Sequence, residues 1–187
     1  MKNLLATMAL VLAITIQAQT FVGGVSNSKL YKPSVDTNNK GVSFAYSGRN
    51  IKVLFFYYQI GCAARLVDEY GNKTDMGYID PFASGDNSIY EEYYKDIEYA
   101  ITQYDFDGDS AAEIVIASRI KDGASTPVGI FIYRIKDGKK WNLIAPQTWW
   151  DMKVNLILNH VKVEPNHSGF TYDWAYERGK FIDYGQY

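Results

Sequence analysis

The 187-residue chain has a single cysteine, Cys62. No intramolecular disulfide can form, even in an oxidising compartment, so stability has to come from packing. The run Ile60-Gly61-Cys62-Ala63-Ala64 is apolar and small, which predicts a buried, inert thiol rather than a reactive one or one pairing between chains. Histidine is nearly as scarce: His160 and His167 are the only two, and neither lies in a His-Glu-x-x-His or His-x-His pattern. Gly-x-Ser-x-Gly elbows, phosphate-binding loops and dinucleotide fingerprints are missing as well. Positive charge is not in excess, since 19 Lys and Arg stand against 21 Asp and Glu without a basic stripe. A nucleic-acid partner is therefore disfavoured, because neutralising phosphates needs clustered Lys and Arg.

Long hydrophobic runs are also absent, apart from one at the start. Leu4 to Ile16 form an apolar stretch of thirteen residues behind the single charge of Lys2, and Ile16-Gln17-Ala18 offers a cleavage site before Gln19. A bilayer span needs about 20 residues, so residues 1–18 read as a cleavable signal peptide and not as a transmembrane segment. A buried core helix is the competing reading. With no cysteine after the site, a lipoprotein is disfavoured. The segment end Gln17-Ala18-Gln19 resembles signals common in Bacteroidetes, which implies export to the periplasm or beyond. The remaining chain, 19–187, suits one domain.

What is present in quantity is aromatic and apolar: 16 Tyr, 9 Phe and 4 Trp, within 47% hydrophobic and 21% charged residues. That is the composition of a folded protein rather than a disordered one. The dominant period is two, and segments 51–59, 64–70, 97–104, 113–120, 128–136, 154–163 and 170–177 read as strands rich in Ile, Val, Tyr and Phe. Turns are predicted at Gly71-Asn72, Asp122-Gly123, Asp137-Gly138 and Arg178-Gly179. Ser88 and Glu91 have capping-box spacing ahead of Ile89, Tyr93 and Ile97, so one short helix competes there with a strand entry. The expected fold is mostly β: a single antiparallel β-rich domain, a sandwich or barrel-like meander, with at most one short helix.

The most informative stretch is Tyr104-Asp105-Phe106-Asp107-Gly108-Asp109-Ser110-Ala111-Ala112-Glu113. Asp105, Asp107, Asp109 and Glu113 fall within nine residues, and no Lys or Arg follows until Arg119. Carboxylates crowded in a tight loop repel one another unless a cation neutralises them. Calcium accepts six to eight oxygens at flexible angles, and alternate loop positions can converge on one ion. The expected ligands are the side chains of Asp105, Asp107 and Asp109, the main-chain carbonyl of Ala111, and Glu113 directly or through water. A solvated acidic hairpin tip is the bland alternative. An EF-hand is excluded, because the position of its closing glutamate is Ile116, inside a β-rich run.

Strand 97–104, acidic loop and strand 113–120 resemble the calcium loop of FG-GAP/VCBS-type repeats, known from integrin-α-like propellers. In that family an Asp-x-Asp-x-Asp-Gly run precedes a ninth-position acid and a hydrophobic strand. Asp105, Asp107, Asp109 and Glu113 match, while Ser110 stands where the family has its sixth-position glycine. The resemblance covers about twenty residues and implies a local calcium site, not a propeller.

Other candidates are weaker. His160 alternates with Leu156, Leu158 and Lys162, which predicts a structural or surface histidine. Trp149 and Trp150 are adjacent and, if extended, point to opposite faces, so an exposed ring for a sugar or a protein partner competes there with an aromatic core. Phe170, Tyr172, Trp174 and Tyr176 occupy one strand face and are expected to form core. Taken together, the sequence predicts an exported, non-catalytic binding protein with a structural calcium, recognising a surface glycan or an envelope protein. A periplasmic inhibitor or immunity-type protein is one alternative, and a secreted hydrolase using scattered carboxylates is another.

Overall fold

The computed structural model describes residues 19–21, 41–58, 61–80, 97–120, 127–146, 152–165 and 170–187. Thirteen strands are found among them: β1 (Gln19–Phe21), β2 (Val42–Tyr46), β3 (Arg49–Tyr58), β4 (Gly61–Val67), β5 (Lys73–Tyr78), β6 (Ile97–Tyr104), β7 (Glu113–Ile120), β8 (Val128–Tyr133), β9 (Lys140–Ala145), β10 (Met152–Ile157), β11 (His160–Pro165), β12 (Tyr172–Glu177) and β13 (Lys180–Gln186). All pairings are antiparallel, as the period of two implies. The strands form three consecutive meanders: a first sheet β2-β3-β4-β5, a middle sheet β6-β7-β8-β9, and a third sheet β10-β11-β12-β13 with β1 added beside β10. No helix occurs among the described residues; positions 88–96 of the possible helix, the turn at Asp122-Gly123, and Trp149 and Trp150 lie outside them.

Alternation along each strand explains how the sheets stack. On β7, Ile114 and Ile116 pack toward the first sheet, in one cluster with Val53, Phe55 and Leu66. Val115 and Ala117, one residue out of phase, pack toward the third sheet with Val154, Val161 and Trp174. The middle sheet is thus covered on both sides, and its strand β8, Val-Gly-Ile-Phe-Ile-Tyr, is buried throughout. Truncating a residue such as Ile116 costs about 2–5 kcal/mol, because neighbours on two layers cannot both collapse into the space.

Two sequence expectations are modified, and a third, the buried Cys62, holds. Segment 154–163 is two strands, because Leu158, with φ of 56°, and Asn159 turn the chain so that Ile157 pairs with His160. The signal is a parity break: core residues Leu156 and Val161 are five apart, which no single strand allows on one face. His160 therefore lies on the face opposite Leu156, sharing it with Lys162. In the aromatic row, Tyr172, Trp174 and Tyr176 are buried core, but Phe170 precedes the strand and is exposed. Cys62 is fully buried, and burial, with Asp80 nearby, pushes its thiol far up from the ordinary range.

One end of the stack gathers the short turns. The 47–48, 68–72, 105–112, 134–139, 158–159 and 178–179 connections join strands in the same sense within each meander. Contacts between sheets bring them side by side. Gln103 Nε2 donates to the Ala45 carbonyl at 3.1 Å, the Tyr104 hydroxyl meets the Leu158 main chain, and the rings of Phe106 and Phe181 are 5.1 Å apart.

Candidate metal centre

The β6–β7 ladder closes at Tyr104 opposite Glu113, so residues 105–112 leave the sheet as one loop. The loop is organised by its own carboxylates. Asp105 Oδ1 accepts from the Gly108 N–H and Oδ2 from the Ser110 N–H, both at 2.8 Å. Asp107 Oδ1 accepts from Asp109 N–H at 3.3 Å, and Asp109 Oδ1 from Ala111 N–H at 2.8 Å. Gly108 (φ 73°) and Ser110 (φ 67°) are left-handed. Ser110 thus takes up the conformation for which glycine is the cheaper residue.

This winding brings Asp105, Asp107 and Asp109 together: one carboxylate oxygen from each lies within 4.8 Å of the others. Glu113 does not join that group. It is 2% exposed, its Oε2 accepts from the Phe106 N–H at 3.2 Å, and its Oε1 faces Arg134 Nε at 3.2 Å without the alignment of a hydrogen bond. Burial raises the Glu113 pKa, and Asp107 adds to this, while the Phe106 N–H and Arg134 work the other way. Of Ala111, the contact found is the donation of its N–H to Asp109.

Two cations that sequence reasoning missed complete the centre. Ile114 pairs with Tyr133, so the next step of the ladder places Arg134 beside Glu113. The Arg134 guanidinium is 7% exposed and lies 3.7 Å from Asp107 and 3.8 Å from Asp137. It donates to the Tyr176 hydroxyl and stacks against Trp141, 4.9 Å from the ring centroid. Burial opposes its charge, but Tyr176, Glu113 and Asp137 outweigh that and raise its pKa. Lys136, two residues on, bonds Asp109 and sits 3.8 Å from Asp107. The signal in the sequence was the run Arg134-Ile135-Lys136, next to the Asp137-Gly138 turn on the neighbouring hairpin.

His160 has a structural setting. Its Nδ1 is 2.8 Å from Asp173 Oδ1, and the buried Asp173 also faces Lys162 at 3.3 Å and the Tyr187 hydroxyl at 3.4 Å. His167 lies outside the described residues, as do Trp149 and Trp150. No protein-family model, curated protein or solved structure matches the chain.

Proposed function

We propose that the chain is an exported, non-catalytic binding protein in which calcium, held by the 105–113 loop, braces the turn end of the three-sheet stack, and that its partner is a surface glycan. The observation that carries the metal is the convergence of Asp105, Asp107 and Asp109. Charge balance supports it: Asp105, Asp107, Asp109, Glu113 and Asp137 are five acids against the three cations Arg134, Lys136 and Lys139, and 5 − 3 leaves a surplus of two negative charges. One divalent ion cancels it. The Lys136 ammonium, counted among the three, shares Asp107 and Asp109 with the ion and, being 39% exposed, can shift aside while staying near them.

In this reading Asp105, Asp107 and Asp109 hold the ion, which supplies the positive charge that the crowded carboxylates need. Glu113 and Arg134 act behind them, fixing the loop to the middle sheet and to Tyr176 of the third. Export rests on the leader sequence, and a glycan partner on the exposed ring of Tyr70. The test is thermal unfolding with chelator and with millimolar calcium. A ligand of the native state at a hundredfold excess over its dissociation constant adds about 2.7 kcal/mol. Chelation is expected to lower the melting temperature, readdition to restore it, and Asp107→Ala to abolish the response. Identical melting curves with and without calcium, together with no ion by elemental analysis, would reject the metal.

A further inference from the structure

At the turn end, the turns of the first sheet and the end of β8 in the middle sheet enclose a cleft of about 360 Å³. This is at the lower end of the about 300–1,000 Å³ of small-molecule sites, too small for an extended peptide segment. Three tyrosines line it: the exposed Tyr70 from the β4–β5 turn, the half-buried Tyr46 from β2 and the buried Tyr133 from β8, which forms its wall. Arg49, Glu69 and Asn72 add planar groups with paired donors or acceptors, with Arg49 and Glu69 3.7 Å apart. We propose that this cleft is a saccharide-binding site for a neutral pyranoside, with Tyr70 as its stacking platform. The proposal rests on the glycan-binding reading above and gives it a location.

Tyr70 is 75% exposed, yet the turn carrying it is tightly fixed. Asp68 Oδ1 accepts from the N–H groups of Tyr70 (2.9 Å) and Asn72 (2.8 Å), its Oδ2 accepts from Asn72 Nδ2 (2.8 Å), and Gly71 N–H donates to the Asp68 carbonyl (3.0 Å). Those bonds, the Asn72 side chain foremost, hold the Asp68 carboxyl below its usual pKa. An exposed ring on a rigid turn loses little freedom when it stacks on a ligand. A solitary exposed tyrosine would need no explanation, but this one shares a cleft with Tyr46 and Tyr133. The apolar face of a sugar ring fits the exposed face of Tyr70, and its hydroxyls fit guanidinium, carboxylate and amide forks.

Charge selects among ligands. Asp68 and Glu69 outnumber Arg49 in the lining, and the phenol of Tyr46 is held up first by burial and then by the nearby charges of Glu113 and Asp137. That surrounding repels phosphates and uronates and leaves neutral sugars. A proline-rich peptide also seeks tyrosines, but needs an extended aromatic-lined groove.

The experiment is saturation-transfer NMR on the full mature chain with maltose, cellobiose, N,N′-diacetylchitobiose and a polyproline decapeptide as probes, each at millimolar concentration with calcium present. At least one disaccharide is expected to receive saturation. Tyr70→Ala should weaken its binding at least tenfold, and Tyr70→Trp should restore it. Arg49→Ala, at the rim, should weaken it severalfold with an unchanged melting temperature. Disaccharide binding that survives both Tyr70→Ala and Arg49→Ala but falls in Trp149→Ala overturns the cleft and keeps the glycan reading. Binding of the polyproline peptide alone, or of no probe at all, overturns both, while the calcium response in thermal unfolding reports separately on the metal.

Discussion

Removing Arg134 isolates the force that ties the acidic loop to the sheets. The guanidinium and the Glu113 carboxylate are both more than nine-tenths buried and 3.2 Å apart. At an effective dielectric of about 20 that separation corresponds to about 5 kcal/mol of gross Coulomb attraction. Breaking a buried pair costs about 3–5 kcal/mol, because the remaining charge loses its partner without regaining water. Poor alignment of Nε and Oε1 places the expected loss for Arg134→Met near the lower figure, about 3 kcal/mol at pH 7.5. For a domain of this size that is about 6–12 °C in melting temperature. Arg134→Met/Glu113→Leu leaves no orphaned Glu113 charge, and should recover most of the loss although Trp141 and Tyr176 still lack their cation.

The pH dependence has a definite sign. Burial already raises the Glu113 pKa in the folded state, and loss of Arg134 raises it further. A carboxyl whose pKa is raised by folding contributes its stability below the unfolded value and loses it as pH rises through the folded value. The deficit of Arg134→Met should therefore shrink between pH 7.5 and pH 5, while that of the double variant changes less. Urea unfolding of the wild type and both variants at the two pH values measures this. Equal instability of single and double variants at pH 7.5, or a single-variant deficit that grows on acidification, would refute the buried-pair account.

Three further outcomes follow from the same region and from the leader. Lys136→Met removes a cation that competes for Asp107 and Asp109, so titration calorimetry should find calcium bound about two- to fivefold tighter, the scale of a partly exposed ion pair; weaker binding would mean that the ammonium does not compete. Ser110→Gly relieves a left-handed backbone at φ 67° and should stabilise by about 1 kcal/mol in urea unfolding, with Ser110→Val changing stability in the opposite direction. Mass spectrometry of protein exported by its native host should find a chain beginning near Gln19, and an exported chain that keeps Met1 would contradict the signal reading.

The limits of β6 and β7 were legible because alternation continues on both sides of an acidic, Gly-containing loop. The hairpin at Leu158-Asn159 was hidden because its left-handed residue is Leu158, which is no customary turn former, and no glycine follows Asn159, so only the changed parity of core positions betrays it. The third layer went unread, although the apolar run Val128–Tyr133, buried throughout, has no polar face to offer solvent. Which acids converge could be read from spacing, since Asp105, Asp107 and Asp109 belong to one loop. The fate of Glu113 could not, because it depends on Arg134, which strand register rather than sequence proximity brings alongside. Tyr70 was concealed for a similar reason: it lay at the end of segment 64–70, whereas β4 stops at Val67 and the ring belongs to a turn.

The two layers of order at the turn end differ in kind, and this bears on what can be changed there without unfolding the protein. Asp68 and Asp105 fix their turns through short-range bonds to backbone N–H groups within five residues, so each turn is held locally and its tip can face solvent. Glu113, Arg134 and Tyr176 instead connect β7, the β8–β9 hairpin and β12, which are distant in the chain. An exposed tip residue such as Tyr70 can consequently vary at little cost to the core. The buried pair beneath the tips cannot, since its loss leaves charge stranded between two sheets. A scaffold that holds its tips locally and its sheets through a buried pair can present an exposed ring and a carboxylate cluster without relying on an intramolecular disulfide, the brace that a single cysteine rules out.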